Sequence, residues 1–569
     1  MVRKLRGKAQ PLAESRSRLI EELRDAVDKG EVLTDANEKR PYSSGYRVGA
    51  GVAVAVVRPG TLLELWFVAQ VCVRHDTIII LQAANTGLTG GSTPFGEYDR
   101  PVVVISTLLL EGVLLLEDHT DVICLAGSTL TGLAKAIEPS GRLPHSVIGS
   151  SCLGASVVGG VCNNSGGALV RRGPAFTRHA LFARIDEGGT LRLVNHLGRD
   201  LGSSPETILE NLDAGDAGIA NHEEVEERCD DYLVQLRQSD DTPARYNADP
   251  RRLFEASGSA GKLIVFAVRV PTYPAPRTEQ SFLVTTDKAG QLADLRQAIL
   301  SDLSTVPSVC EYLDRNAREL AAKYGRDVCH LLAIFGPEAM PTIQRIQRRL
   351  DVSARRLGSG RNVSARLSQA VSRITPHPLT PALRAVLNTH EHALLLTTDD
   401  EGIDELDELL LRACKDQPME YTMLGAKQAK AAFHLRFASA GATVRMQELS
   451  HLPTELSSLD IALPRNTADW QFILPERLES QILAKAVYGH FLCHVFHLDF
   501  LLRPGVNKDS FESEVKAVVE ERGGQMPAEH NFGHLYEAPP EVAEFYRALD
   551  PTNALNPGIG KTSRRRGWA

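Results

Sequence analysis

Short apolar, β-rich runs alternate along this chain with segments whose apolar residues recur at helical spacing. Residues 50–58 (AGVAVAVVR), 77–81, 102–106 (VVVIS) and 122–126 (VICLA) read as buried strands. Between them, 62–75 and 130–138 show helical periodicity, the first behind a start signal at Thr61. The alternation continues through LFARI at 181–185 and KLIVFAVRV at 262–270, and PTYPAP at 271–276 marks a boundary. Beyond it, 288–303 is helical, 329–335 and 392–398 are strand-like, and 403–413 is a Glu- and Leu-rich helix. An amphipathic helix is expected from about Ser15, and no internal repeat is evident.

Two glycine-rich loops interrupt this pattern, AANTGLTGGST at 83–93 and GSSCLGASVVGGVCNNSGG at 149–167. Glycine adopts positive φ and lets backbone N–H groups converge on phosphate oxygens, and the small residues among them leave room for a flat ligand. The spacing of Gly87, Gly90 and Gly91 matches neither the Rossmann turn nor the P-loop, so a different dinucleotide cradle is implied. An ordinary surface turn explains one such loop; two together favour a ligand.

Composition narrows the class. The chain has 569 residues, 43% hydrophobic and 24% charged, which suits a globular protein of several domains. A net charge of -8 argues against a nucleic-acid partner for the whole. The 9 cysteines are scattered and never in C-x-x-C, which disfavours a disulfide framework, a zinc ribbon or a cluster. The N-terminus lacks the apolar core of a signal peptide, and no run approaches the ~20 apolar residues of a membrane span. Against this acidic background, 341–385 carries arginines at 345, 348, 349, 355, 356, 361, 366, 373 and 384 and a single acid, Asp351. Ile343, Ile346 and Leu350 add an apolar stripe, a combination suited to an anionic membrane surface; a solvated arginine-rich helix is the plainer reading. The basic tail KTSRRRGWA at 561–569 is expected to be a disordered terminus, a second membrane contact being the alternative.

Three clusters carry candidate chemistry. In YGHFLCHVFHLDF, His490, His494 and His497 share one face if helical, whereas His490 and His497 point oppositely if it is a strand. They are candidate metal ligands or hydrogen-bonded core residues. In PAEHNFGHLY, Glu529 and His530 are adjacent and His534 follows; a neutral imidazole there suits proton abstraction, a polar loop being the alternative. Arg436, Arg445 and Arg465 sit among apolar residues, where a guanidinium needs an anion, either a substrate carboxylate or a structural partner such as Asp460.

The strings AANTGLTGGSTP, PHSVIGSSCLGASVVGGVCNNSGG, DTPARYNADPRRLFEASGSAGKL, PAEHNFGH and DPTNALNPGIGKTS resemble the family of quinone-dependent D-lactate dehydrogenases, from about residue 30 to the C-terminus and most weakly in 310–400. The resemblance implies an α+β chain with the two-subdomain FAD-binding fold of the vanillyl-alcohol oxidase (PCMH) type. It places an FAD-binding domain at 1–275 and a cap at 276–520, interrupted at about 312–388 by a basic membrane-attachment insertion. Residues 521–569 then return to the FAD domain. Implied flavin contacts are Ala83, Ala84, Asn85, Thr86, Gly87, Gly91, Ser92, Gly149, Ser156, Gly166 and Val265. The first loop holds neither His nor Cys, so the FAD is expected to be non-covalent.

In broader relatives acting on D-2-hydroxy acids, two histidines seven apart and a Glu-His pair hold a divalent metal and supply the base. His490, His497, Glu529 and His530 match that spacing, although FLCHVF replaces the usual loop between the histidines. Arg436 and Arg465 fall where those relatives grip the carboxylate. The implied activity is oxidation of D-lactate to pyruvate with electrons passed to a membrane quinone, by a peripheral protein on the cytoplasmic face of the bacterial inner membrane. A dehydrogenase for a larger D-2-hydroxy acid such as 2-hydroxyglutarate, and a membrane-surface binding protein with a degenerate flavin site, are the rival readings.

Overall fold

The computed structural model describes residues 2–148, 153–221, 231–356, 362–415, 417–529 and 531–569. Three of the four sheets among the described residues organise the chain, the fourth being the two-stranded pair Arg199–Asp200 and Ile219–Ala220. The first is four-stranded, in the order Glu31–Leu33, Ala55–Arg58, Val102–Ser106, Ile78–Gln82, the last three mutually parallel. Parallel strands buried on both faces read as unbroken apolar runs, which is why Val102–Ser106 has no polar alternation. The helix Leu62–Arg74 crosses between two of them, starting where the Thr61 hydroxyl accepts the Glu64 N–H at 3.1 Å.

The second sheet is antiparallel and centred on the long strand Ile264–Pro274, flanked by Asp121–Leu125 and Ala180–Ile185. The prolines expected to mark a boundary lie partly inside this strand, Pro271 opposite Asp121 and Pro274 opposite Arg142 at its end. A segment-ending position tolerates a residue that cannot donate to the ladder.

The third sheet has seven antiparallel strands drawn from 279–502. Alternation divides its two faces. Phe282, Val284, Leu394 and Leu396 pack with Leu292, Leu295, Leu406 and Leu409 of the helices Ala289–Asp302 and Gly402–Cys414. Leu283, Ala393 and Leu395 pack instead with Ala317 and Ala321 of Arg315–Tyr324 and with Ala432, Leu435 and Ala438 of Ala426–Leu449. The C-terminal segment then returns to the first sheet, where Ile79 donates to Ala554 O at 2.9 Å and accepts from Asn556 N at 2.9 Å.

Two expectations fail. Residues 329–335 form no strand but belong to the helix Arg326–Phe335. Cys329 and Leu332, three apart, are buried, while Ile334 and Phe335 face outward; a short apolar run does not reveal its period until its partners are known. The tail is ordered: Trp568 Nε1 donates to Asp550 O at 2.8 Å, and the ring lies 4.4 Å from the buried Lys262 ammonium. Trp568→Ala should therefore cost about 1–3 kcal/mol in urea denaturation, whereas a disordered tail would show no change.

Candidate active site

The first glycine loop is closed by its own strand. Gln82 Nε2 donates to Tyr42 O at 3.0 Å and to Ser92 O at 2.7 Å, and the Ser92 hydroxyl donates to Asn85 Oδ1 at 3.1 Å. Asn85 holds φ 52°, tied down by its amide donating to Ser44 O at 2.8 Å. A Cβ at Gly87 would meet nothing within 4 Å, so that position opens onto free space. The C-terminal segment seals the loop from behind, Asn556 Nδ2 donating to Gly91 O and Ala260 O at 2.8 Å each. The second loop enters through Ser156, whose hydroxyl accepts the Gly159 N–H at 3.0 Å.

All the flavin contacts implied by resemblance except Gly149, which lies outside the described residues, line one cavity of about 1150 Å³. Small side chains, backbone exposed at glycine and an apolar floor at Val265 suit a flat dinucleotide, so the residues present fit FAD. Cys162 also lines the cavity, but burial pushes its thiol up to about 11, which makes a thiolate scarce there.

The opposite wall comes from the third sheet. The histidine motif is neither a helix nor a continuous strand. It is a hairpin, Ile482–His490 and Val495–Leu502, that reverses at 491–494 with His494 at φ 52°. In this register His490 faces Val495 and Tyr488 faces His497. The two outer histidines therefore lie on one face with ring centroids 5.5 Å apart. His494 is turned away and buried against Pro464 O at 3.0 Å, a core histidine whose pKa burial holds well below the usual value.

Glu529 completes the group from the C-terminal segment, its N–H held by the Asp460 carboxylate. Its Oε2 lies 3.3 Å from His490 Nε2 and 4.0 Å from His497 Nε2, and one ligand atom from each of the three falls within 4.8 Å of the others. Glu529 also pairs with the buried Arg245, and a Cβ at Gly166 would collide with its carboxylate. Behind His490, Nδ1 sits 2.6 Å from Glu311 Oε1, and Glu311 Oε2 is 2.7 Å from Arg436 Nε. The Arg436 guanidinium lies 4.6 Å over the Tyr488 ring, and its terminal nitrogens have no hydrogen bond to another described residue.

These charges hold one another. Burial resists ionisation of Glu311, but Arg436 and His490 overcome it and hold the carboxyl down to about 2. Burial likewise opposes the His490 cation, yet Glu311 and Glu529 carry it up to about 9. Against the same burial, Arg245 and His490 hold Glu529 well below the carboxylate range. Neither Glu311 nor Arg245 stands out in the sequence, since each finds its charge partner far along the chain.

The other candidates are placed elsewhere. Arg465 does not line the cavity: it is buried, donates to Thr242 O at 3.0 Å and to Gln235 O, and pairs with Asp240 at 3.2 Å. Arg445 pairs with Asp327. His534 stacks on Phe95 at 4.8 Å between Thr93 O and Gly558 O, and burial brings its pKa down to about 4. His530 lies outside the described residues.

The arginine-rich segment forms the helices Met340–Arg356 and Val363–Ile374. Of the apolar stripe, Ile346 and Leu350 are exposed, beside exposed Arg345 and Arg349, while Ile343 turns into the cavity. Leu367, Val371 and Ile374 are exposed on the second helix, the last at 83%. Among the described residues no helix is long and apolar enough to cross a membrane.

The family described as D-lactate dehydrogenase, membrane binding, matches residues 281–568. The chain is 45% identical over 561 residues to the quinone-dependent D-lactate dehydrogenase of Haemophilus influenzae, covering 97% of this chain and 99% of that one. It is 44% identical to that of Escherichia coli, covering 96% and 97%. A mitochondrial D-2-hydroxyglutarate dehydrogenase from Bos taurus is 32% identical over 26% of this chain and 27% of that one. Among solved structures, p-cresol methylhydroxylase superposes with a TM-score of 0.57 at 13% identity, covering 97% of each chain. The 4-ethylphenol oxidase of Gulosibacter chungangensis superposes at 0.57 with 14% identity, covering 96% and 97%. The architecture is thus the two-subdomain PCMH-type fold with a cap, and the chain belongs to the quinone-dependent D-lactate dehydrogenase family.

Proposed function

We propose that this chain binds FAD non-covalently in the cavity, oxidises D-lactate to pyruvate, and passes the electrons to a membrane quinone. One observation carries the reading: two glycine-rich loops and a buried Arg–Glu–His–His–Glu group line the same cavity. When bound, the flavin supplies the two-electron acceptor that no side chain offers. In domain terms, 1–275 and the returning 521–569 hold the cofactor, and 276–520 caps it. The lactate match spans nearly the whole chain and the hydroxyglutarate match about a quarter, which favours the smaller substrate.

The chain's own groups bind and orient. To a carboxylate, Arg436 presents guanidinium nitrogens that have no hydrogen bond among the described residues, while Glu311 fixes its other edge. His530, next to Glu529 in the chain, takes the proton of the substrate hydroxyl. Arg465, spent on backbone carbonyls, serves structure rather than substrate. His490, His497 and Glu529 would hold a divalent cation, with Glu311 orienting His490 from behind as an outer carboxylate does in metal sites. A cation there would polarise the hydroxyl and ease its deprotonation. The exposed arginines and apolar side chains of 341–385 rest on an anionic phospholipid surface at the cytoplasmic face of the inner membrane.

Purified protein should release FAD on denaturation and reduce a quinone with D-lactate. His530→Ala should keep the FAD and cut turnover at least ~100-fold; near-normal turnover would remove that role. Arg436→Gln should raise KM for D-lactate at least ~10-fold, as the loss of a charge-assisted contact requires. Elemental analysis should find a divalent metal near one equivalent, and Glu311→Gln should weaken its retention about 10–100-fold; metal-free protein of full activity would discard the cation. Replacing Arg345, Arg349, Arg366 and Arg373 with Gln should weaken sedimentation with anionic vesicles by about 1 kcal/mol per charge, with soluble-dye activity intact.

A further inference from the structure

The cavity has an arm beyond the glycine loops and the hairpin wall. At about 1150 Å³ it exceeds the roughly 300–1,000 Å³ of single-ligand pockets. Past the glycine loops it runs into the helical segment, where Leu332 and Met340 are buried with Leu153, Ile343 and Phe437 packed around them, and all five line the cavity. Leu153 belongs to the second glycine loop itself, so this apolar wall is continuous with the cofactor loop.

The outer side of the same helices is the second observation. Ile334 and Phe335 on Arg326–Phe335, and Ile346 and Leu350 on Met340–Arg356, are exposed apolar side chains beside exposed arginines. One short helical unit therefore has an apolar face toward the outside and an apolar face toward the cavity.

We propose that this arm is the quinone site, admitting the ring directly from the bilayer to the redox centre. The inference rests on the preceding reading that electrons leave D-lactate for a quinone. A quinone is an apolar ring with two carbonyl acceptors on a lipid tail, so it must reach the cofactor without losing its apolar surroundings. The helices proposed to rest on lipid are the helices that line the arm. Gln347 and Ser368 also line the cavity, the amide donating to the hydroxyl at 3.1 Å, and both offer donors to a ring carbonyl. D-Lactate gives up two electrons and two protons in becoming pyruvate, and the quinone takes up two of each in becoming quinol, so the exchange balances. The lactate end lies on the hairpin wall and the quinone end on the helical wall.

The test uses the full FAD-loaded chain on vesicles of phosphatidylglycerol and phosphatidylcholine. Ile343→Trp and, from the neighbouring helix, Phe437→Trp plug the arm. Each should lower kcat/KM for a short-tailed quinone at least tenfold, leaving anaerobic bleaching by D-lactate and vesicle sedimentation unchanged. A photoreactive azidoquinone should label wild-type peptides from 328–347 or 433–441, and the label should fall in both variants. Unchanged quinone reduction in both variants, or labelling elsewhere, overturns the proposal. If the variants also lose reduction by D-lactate, the label on wild type decides. If wild type is not reduced by D-lactate, the underlying function has failed, and the label still reports separately whether the arm takes a quinone.

Discussion

The site depends on a buried run of alternating charge, Arg436–Glu311–His490–Glu529–Arg245. Each of these side chains is largely removed from water, and an isolated buried charge is costly, so each must find its opposite. The five come from a cap helix, a cap strand, the hairpin, the C-terminal segment and the loop that precedes the strand Ile264–Pro274. Satisfying them aligns the cap sheet with the body. The same pairing that a folded interior demands also points His490, His497 and Glu529 at one another.

Gly166 shows how tight that alignment is. Any Cβ there would occupy the space of the Glu529 carboxylate, so the second glycine loop and the C-terminal segment approach to backbone distance. Glycine in this loop therefore leaves room for the Glu529 carboxylate and, in the proposed function, for a flat ligand as well.

Much of this was legible in the residues. Strands buried on both faces, such as Val102–Ser106, and capped helices, such as Leu62–Arg74, declare themselves through local pattern and local hydrogen bonds. The glycine loops were legible for the same reason. What failed was non-local. Residues 329–335 have an apolar run whose period depends on the helix packed against it. The histidine motif hides a reversal at His494, which has no glycine to announce it, so helix and strand readings both misplaced the side chains. Arg465 carries the residue type of a carboxylate ligand, but backbone carbonyls of 235–242 consume its donors, and nothing nearby in sequence shows that. Glu311 was missed because an acid within a mostly apolar strand gains meaning only from Arg436 and His490.

The central claim is that one cavity joins a flavin to a group that activates D-lactate. Anaerobic stopped-flow absorbance of the bound cofactor near ~450 nm, a property of the flavin itself, tests it most directly, with D-lactate and L-lactate mixed separately. The account predicts rapid bleaching by the D isomer and none by the L isomer. A protein whose flavin is bleached equally by both, or by neither, would contradict it.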